Sequence, residues 1–211
     1  MRFRPALVFA ILTTALVAWA DDSKPTRLPF KLFAEVHVGD WWVMTGTVGD
    51  NPPRKDEEKM PIVNASRVTS VDADSVAVVT TSGLREPGHA KAEITQVVTR
   101  TLPRREAPLL DEDFGRKDAK TEFEGFKDEK RTVGGREFAC KRLDFKGRNT
   151  WGTVWFAAES PNGVLAYSFV GPFDIDAPVA FYEGELAGFG TAEKTLWGKT
   201  PDELFKALDK R

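Results

Sequence analysis

The fold is decided by TWGTVWFAAESPNGVLAYSF, Thr150 to Phe169. Two strand-like runs flank Ser160, Pro161, Asn162 and Gly163, with proline second and glycine fourth, as a type I turn prefers. Side chains alternate across a strand, so Trp151 and Trp155 point one way, Val154 and Phe156 the other. After the turn Leu165, Tyr167 and Phe169 oppose Val164, Ala166 and Val170. Neither run shows the apolar-in, polar-out alternation of a sheet with one wet face. Both faces are therefore expected to be covered. Two architectures achieve that. One is a sandwich or closed barrel with a helix across one face. The other is a curved sheet, packed on its convex side and enclosing a helix or a ligand on its concave side.

The flanking sequence extends the sheet both ways. KRTVGGREFAC carries Gly134 and Gly135 between two strand-like runs, and glycine accepts the positive φ of a two-residue hairpin turn. Phe138 and Cys140 share one parity and Leu143 and Phe145 the other, which predicts a bulge or twist near Lys141 and Arg142. Upstream, the valine-rich runs IVNASRVTSV and SVAVVTTSG flank Asp72 to Asp74 and read as a second hairpin. DWWVMTGTV (Asp40 to Val48) and AEITQVVTRTL (Ala92 to Leu102) are further strands, and Gly49 to Pro61 is a polar loop. Downstream, APVAFYEGELAGFG is expected to be the last strand, bending at its glycines. Residues 103–130 mix both signs of charge with little periodicity. They read as a charged surface excursion with one edge strand near Thr121 to Phe126. In TPDELFKALDKR, Thr200, Pro201 and Glu203 fit a capping box with proline at the first helical position. Leu204, Phe205 and Leu208 then form the face by which so short a helix must dock.

The first twenty residues read as a targeting segment: Arg2 and Arg4, an uncharged apolar run, and Ala18 and Ala20 at the positions a signal peptidase needs. The apolar run is short for a span, so no stable membrane span is expected after cleavage. Removing these twenty residues, two arginines among them, from 211 residues of net charge −2 leaves 191 residues at −4. That suits a single β-rich domain, residues 21–211, with a core of its own. The mildly acidic balance speaks against a nucleic-acid partner. Cys140 is the only cysteine, so no intramolecular disulfide can form, and an exported chain of that kind suits a bacterial periplasm or secretion.

VGDWW, VTSVDADSVAV, GGREFAC and WGTVWFAAESPNGVL, in this order between Val38 and Ser168, carry a resemblance. The chain is similar to a group of uncharacterised exported bacterial β-proteins, which look like relatives of half-barrel envelope proteins that include lipoprotein and lipid carriers. The resemblance implies a curved antiparallel sheet with an apolar concave face. It transfers no catalytic residue.

Few residues invite chemistry. Trp42, Trp151, Trp155 and Tyr167 are the candidate wall of an apolar ligand site; the competing reading is that they fill the core. Trp41 and Trp42 are adjacent and must face opposite sides. His37 and His89 lack the partners of a zinc site, so neither a metal nor a cofactor is expected. Cys140 reads as a small buried hydrophobe. Asp72 and Asp111 lack the spaced ligands and glycine of a calcium loop. No G-x-S-x-G elbow and no G-x-G-x-x-G loop is present. Asn64 to Ser66 match a glycosylation acceptor, a tripeptide common by accident. The expectation is thus a mainly β protein, a single curved antiparallel sheet, half-barrel or barrel-like, with a short C-terminal helix. Its expected role is non-catalytic binding of a lipid or acyl chain. The alternatives are a structural or protein-interaction module of the envelope, contacting its partner through residues 103–130, and a secreted hydrolase using carboxylates such as Asp111 and Glu112.

Overall fold

The computed structural model describes residues 28–50, 59–86, 91–104, 121–147, 151–172 and 179–209, with His89 and Glu106. Residues 1–20, expected to be a targeting segment, and Asp111 and Glu112 lie outside these residues. Ten strands and one helix follow in order: β1 (Trp41–Asp50), β2 (Met60–Val71), β3 (Ser75–Leu84), β4 (Glu93–Pro103), β5 (Thr121–Val133), β6 (Arg136–Gly147), β7 (Trp151–Phe156), β8 (Val164–Pro172), β9 (Val179–Gly190), β10 (Thr195–Gly198) and α1 (Pro201–Asp209). The protein is mainly β, as expected. All ten strands join one antiparallel sheet that does not close, ordered β4-β3-β2-β1-β9-β8-β7-β6-β5, with β10 on β9. Two meanders, β1–β4 and β5–β9, thus meet at one seam, β1 against β9. Among the described residues no helix is long and apolar enough to cross a membrane.

The sheet is strongly curled. β5 and β9 lie four places apart, which is about 19 Å in a flat sheet at ~4.8 Å per strand. Their Cα atoms nevertheless come within 8 Å. The Phe138 ring on β6 also meets Trp197 on β10 edge-on at 5.7 Å. Register shifts in β1–β9, β2–β3, β3–β4, β5–β6 and β7–β8 supply the local bends.

Turns form where the sequence predicts them. Gly134 and Gly135 take φ of 54° and 79°. The Gly163 N–H donates to the Ser160 carbonyl at 2.9 Å, closing the β7–β8 turn. Glu203 Oε2 accepts from the Thr200 N–H and hydroxyl, and the Glu203 N–H donates back to Thr200 Oγ1, so the capping box starts α1. The helix lays Leu204 and Leu208 on Trp41, Val43, Val63 and Ala65, the convex face of β1 and β2. Trp41 and Trp42 divide between the two faces, as adjacent strand residues must.

Three expectations need refinement. Of the bulge or twist expected near Lys141 and Arg142, the β5–β6 pairing shows no bulge: its register runs unbroken from Phe126 opposite Leu143 to Val133 opposite Arg136, and its irregularity sits at Phe123/Phe126. The change of phase has another cause. β7 pairs with β6 only as far as Lys141, so beyond it the hairpin is a two-stranded arm, which twists more than a full sheet. Phe138 and Cys140 share a side with Arg142 yet become buried. Secondly, the strand expected near Thr121 to Phe126 continues to Val133, so 121–130 belong to an edge strand. Its alternating charges pair across the hairpin, Lys130 with Glu137 at 2.8 Å and Asp128 with Lys141 at 2.6 Å. Thirdly, β9 is not the last strand, because β10 follows and pairs with Gly188 to Gly190, beyond the stretch of β9 that β8 covers.

The segment before β1 also packs. Leu28, Leu32, Phe33 and Val36 are buried in the main core. Arg104 fastens this segment: its guanidinium donates to the carbonyls of Phe33, Ala34 and Asp72 at 2.7–3.1 Å. Phe33 has a φ of 57°, a conformation that side-chain-bearing residues seldom adopt. A Cβ on Gly163 would lie 2.3 Å from Leu32 Cδ2, so glycine there serves both the turn and the plug that segment 28–36 makes.

Candidate functional site

The register defines what the concave face presents. Across β2, β1, β9, β8, β7 and β6 one row runs Ile62, Gly46, Gly184, Tyr167, Val154, Leu143. The two glycines make a lane free of side chains of its own, which the β9 main chain and the Tyr167 ring fill. A Cβ on Gly184 would stand 2.3 Å from Tyr167 Oη and 2.4 Å from its Cζ, so the phenol lies flat across β9 with its hydroxyl towards β1. Burial pushes the Tyr167 and Tyr182 hydroxyls well above the usual phenol range. Around the lane Phe169 stacks with Tyr182 at 5.0 Å, and Tyr167 and Phe145 lie 5.9 and 6.4 Å from the Phe169 ring. Trp42, fully buried, meets Phe33 of the plug at 6.0 Å.

Beside this aromatic surface lies a polar one. Val63 and Ala65 face α1, so Asn64 and Ser66 between them face the concavity. Asn64 stands opposite Met44 and Ser82, and Ser66 opposite Trp42 and Thr80. Ser66 and Thr80 share a 2.9 Å hydrogen bond. Asn64 is 0% exposed, and neither its Nδ2 nor its Oδ1 has a hydrogen-bond partner in the protein. The same holds for the buried Trp42 Nε1, Tyr167 Oη and Gln96 Oε1. A buried polar group left unpaired costs ~1–3 kcal/mol. Four such side chains would cost on the order of 4–12 kcal/mol, as much as a whole domain's net stability. Groups of this kind are met by water or by a ligand.

The four residues expected as a ligand wall do not lie together. Trp42 and Tyr167 are on the concave side. Trp155 is buried at 9% exposure, but it occupies the side of β7 away from Val154, in register with Arg142 and Ala166, and the Arg131 guanidinium covers its ring at 4.0 Å. Trp151 shares that side and is 45% exposed. Nearby, Asp144 accepts hydrogen bonds from Thr153, Arg142 and Lys127 at 2.7–3.1 Å. Burial raises its carboxyl, but these bonds outweigh that and hold it below the usual range. It is an ion-pair network of the outer surface.

Cys140 lines an open depression of about 550 Å³ with Phe30, Glu129 and Phe156. Its Sγ donates to the Glu129 carbonyl at 3.3 Å, and burial pushes the thiol up, away from reactivity. His37 and His89 each stand at the surface, 3.6 Å from the carboxylates of Asp40 and Glu86. Among the described residues no three His, Cys, Asp or Glu groups are placed to hold a metal. Asn64 lies fully buried in mid-strand, so its acceptor tripeptide is closed to glycosylation in the folded protein.

The polar patch of Asn64, Ser66, Thr80 and Ser82 was missed in the sequence. Its signal is the alternation of small polar residues through two valine-rich runs. Apolar-in, polar-out logic assigns such residues to solvent, and here α1 reverses the assignment. No protein-family model matches the chain, and no curated protein matches it.

Proposed function

We propose that this protein is an exported, non-catalytic binder that takes a lipid or acyl chain against the concave face of its sheet. The observation that carries the reading is the curled, unclosed sheet, on whose inner surface the row from Ile62 on β2 to Leu143 on β6 carries no charged side chain. The favourable term comes from the ligand, whose methylenes would leave water. Twelve methylenes at ~0.8 kcal/mol each give roughly 10 kcal/mol before association costs, which suits reversible carriage better than permanent retention. Mass spectrometry of an organic extract of the purified protein tests this, with titration of the uncharged probe N-phenyl-1-naphthylamine. A copurifying acyl species or saturable uptake is expected. Clean extracts from several preparations together with no uptake would end the proposal.

A second reading has an observation of its own. On edge strand β4, Ile94 and Val97 are 68% and 62% exposed, and an open edge invites pairing with another chain. Replacing both with lysine would then abolish capture of a protein partner and leave probe uptake as it was.

A further inference from the structure

The two edges of the open sheet are built differently. β5 carries an unbroken run of charge from Lys127 to Arg131, one of the devices by which an edge refuses another strand. β4 has only Glu93 and Arg100, and among the described residues no strand pairs with its outer side. The chain at either end of β4 is tied down. The Ala92 N–H donates to Asp209 Oδ1 of α1 at 2.8 Å, and Arg104 holds the carbonyls of Phe33 and Ala34. The unpartnered edge lies between these two anchors.

That stretch matches a reversed copy of itself. β3 sets Ser82 opposite Gln96 and Gly83 opposite Ile94, so Thr95 is an extra residue, a bulge. The bulge resets which residues share a face. Ile94, Val97 and Thr99 stand opposite Gly83, Thr81 and Val79 on the side of α1, where a Cβ on Gly83 would meet Phe205 at 2.6 Å. Glu93, Gln96, Val98 and Arg100 stand opposite Leu84, Ser82, Thr80 and Val78 on the concave side. Outward from Val97 one direction reads Gln96, Ile94, Glu93, passing the bulged Thr95, and the other reads Val98, Thr99, Arg100. At each step the two residues share a face, as residues directly opposite in an antiparallel pair must. A second β4, turned about a twofold axis at Val97, therefore sets Val97 against Val97, the exposed Ile94 against Thr99, and Glu93 against Arg100 at both ends. We infer that β4 is a homodimer interface, joining two copies of this chain edge to edge in an antiparallel pair centred on Val97. The inference rests on the second reading above, in which this edge takes another chain, and names that chain as a second copy. A contact of one strand is small beside a standard interface of ~1,600 Å², so a micromolar Kd is expected.

Sedimentation equilibrium of the full mature chain, from low to high micromolar, is expected to show monomer and dimer in exchange. Val97→Lys sets two like charges on the axis and should leave monomer. Glu93→Arg and Arg100→Glu, each alone, set like charges opposite at two places and should weaken the dimer roughly tenfold. Mixed in equal amounts, they restore opposite charges at both places, and the mixture should regain the wild-type affinity; a merely structural role for either residue gives no such rescue. Should a charge variant fail to fold, Val97→Cys decides. Opposed Cα atoms in an antiparallel pair lie ~4.5–5.5 Å apart, within disulfide reach, so mild oxidation should yield a covalent dimer, whereas Thr101→Cys, off the axis, should yield none. Cys140 is buried and does not compete. A wild type that stays monomeric overturns the inference and leaves the edge to a different protein. A dimer lost in Val97→Lys but with neither rescue nor cross-link overturns the proposed pairing. A dimer indifferent to Val97→Lys overturns the inference and the edge reading together, since the contact then lies elsewhere.

Discussion

Gly184→Ala tests the placement of Tyr167 more sharply than removal of the tyrosine would. Gly184 does not have a positive φ, so alanine is allowed by the backbone there and gains ~0.5–1 kcal/mol over glycine in a strand interior. Against that stands one methyl group. Its carbon would lie 2.3–2.9 Å from Oη, Cζ and Cε1 of Tyr167. These atoms belong to a rigid ring packed against Phe169, so the neighbour cannot yield as a flexible chain end would. Forcing an extra carbon into a packed core costs ~1–3 kcal/mol, and the net expectation is a loss of roughly 1–2 kcal/mol. At ~2–4 °C per kcal/mol for a chain of this size, Tm falls by about 2–8 °C. Tyr167→Ala should cost ~3–5 kcal/mol through the cavity it leaves. In the double variant the new methyl group meets no ring, so the combined loss should fall below the sum by ~1–3 kcal/mol. Gly49→Ala is the control: its Cβ would meet nothing nearer than Lys59 Cγ at 3.6 Å, and no loss is expected. Urea unfolding followed by tryptophan fluorescence reads all four. Losses that add to within ~0.5 kcal/mol would refute the argument, since uncoupled residues do not share space.

Two further outcomes follow from the outer surface and the plug. Asp144 and Glu183 both have carboxyls held below the usual range: burial raises each, but hydrogen bonds outweigh it, from Thr153, Arg142 and Lys127 to Asp144 and from Lys59 and Thr47 to Glu183. A depressed folded-state value means that stability is fully present above the unfolded carboxylate range of ~4. It drains as pH falls through the folded values, so Asp144→Asn should flatten that acid limb in melts between about pH 2 and 5, and an unchanged slope would count against the network. Arg104→Ala removes charged donors from three main-chain carbonyls and should cost about 2–4 kcal/mol. It should make residues 28–36 the first site of limited proteolysis; cleavage elsewhere first would mean that the plug is held by other contacts.

The parts of the fold that sequence revealed are those fixed by local chemistry. Gly134 with Gly135, Asp72 to Asp74, the Ser160 to Gly163 turn and the Thr200 capping box each act within a few residues, and each appears where expected. The coverage of the tryptophan hairpin was half legible. Val154, Trp155 and Phe156 are buried, but Trp151 at the strand's start is not; Trp155 is covered by Arg131, which sits twenty-four residues upstream on the arm, a partner local sequence does not announce. β10 has four residues and no alternation, so nothing in Thr195 to Gly198 distinguishes it from a loop. The site was least legible. Whether Asn64 faces water or core depends on which side of β2 receives α1, and that helix lies more than 130 residues further along the chain.

The junction of β1 with β9 has a consequence for how the molecule assembles. Every other pairing between successive full-length strands joins neighbours in sequence, so β1–β4 and β5–β9 can each zip locally. The junction alone brings together Trp41 and Gly190, with nearly the whole folded chain as the intervening loop. Closing a loop of that length costs on the order of 4 kcal/mol in chain entropy, and non-local closure of this kind sets the pace of folding. The first strand synthesised thus waits for the last long one, and the two half-sheets remain separate, each with an apolar side bare, until the glycine-lined junction shuts.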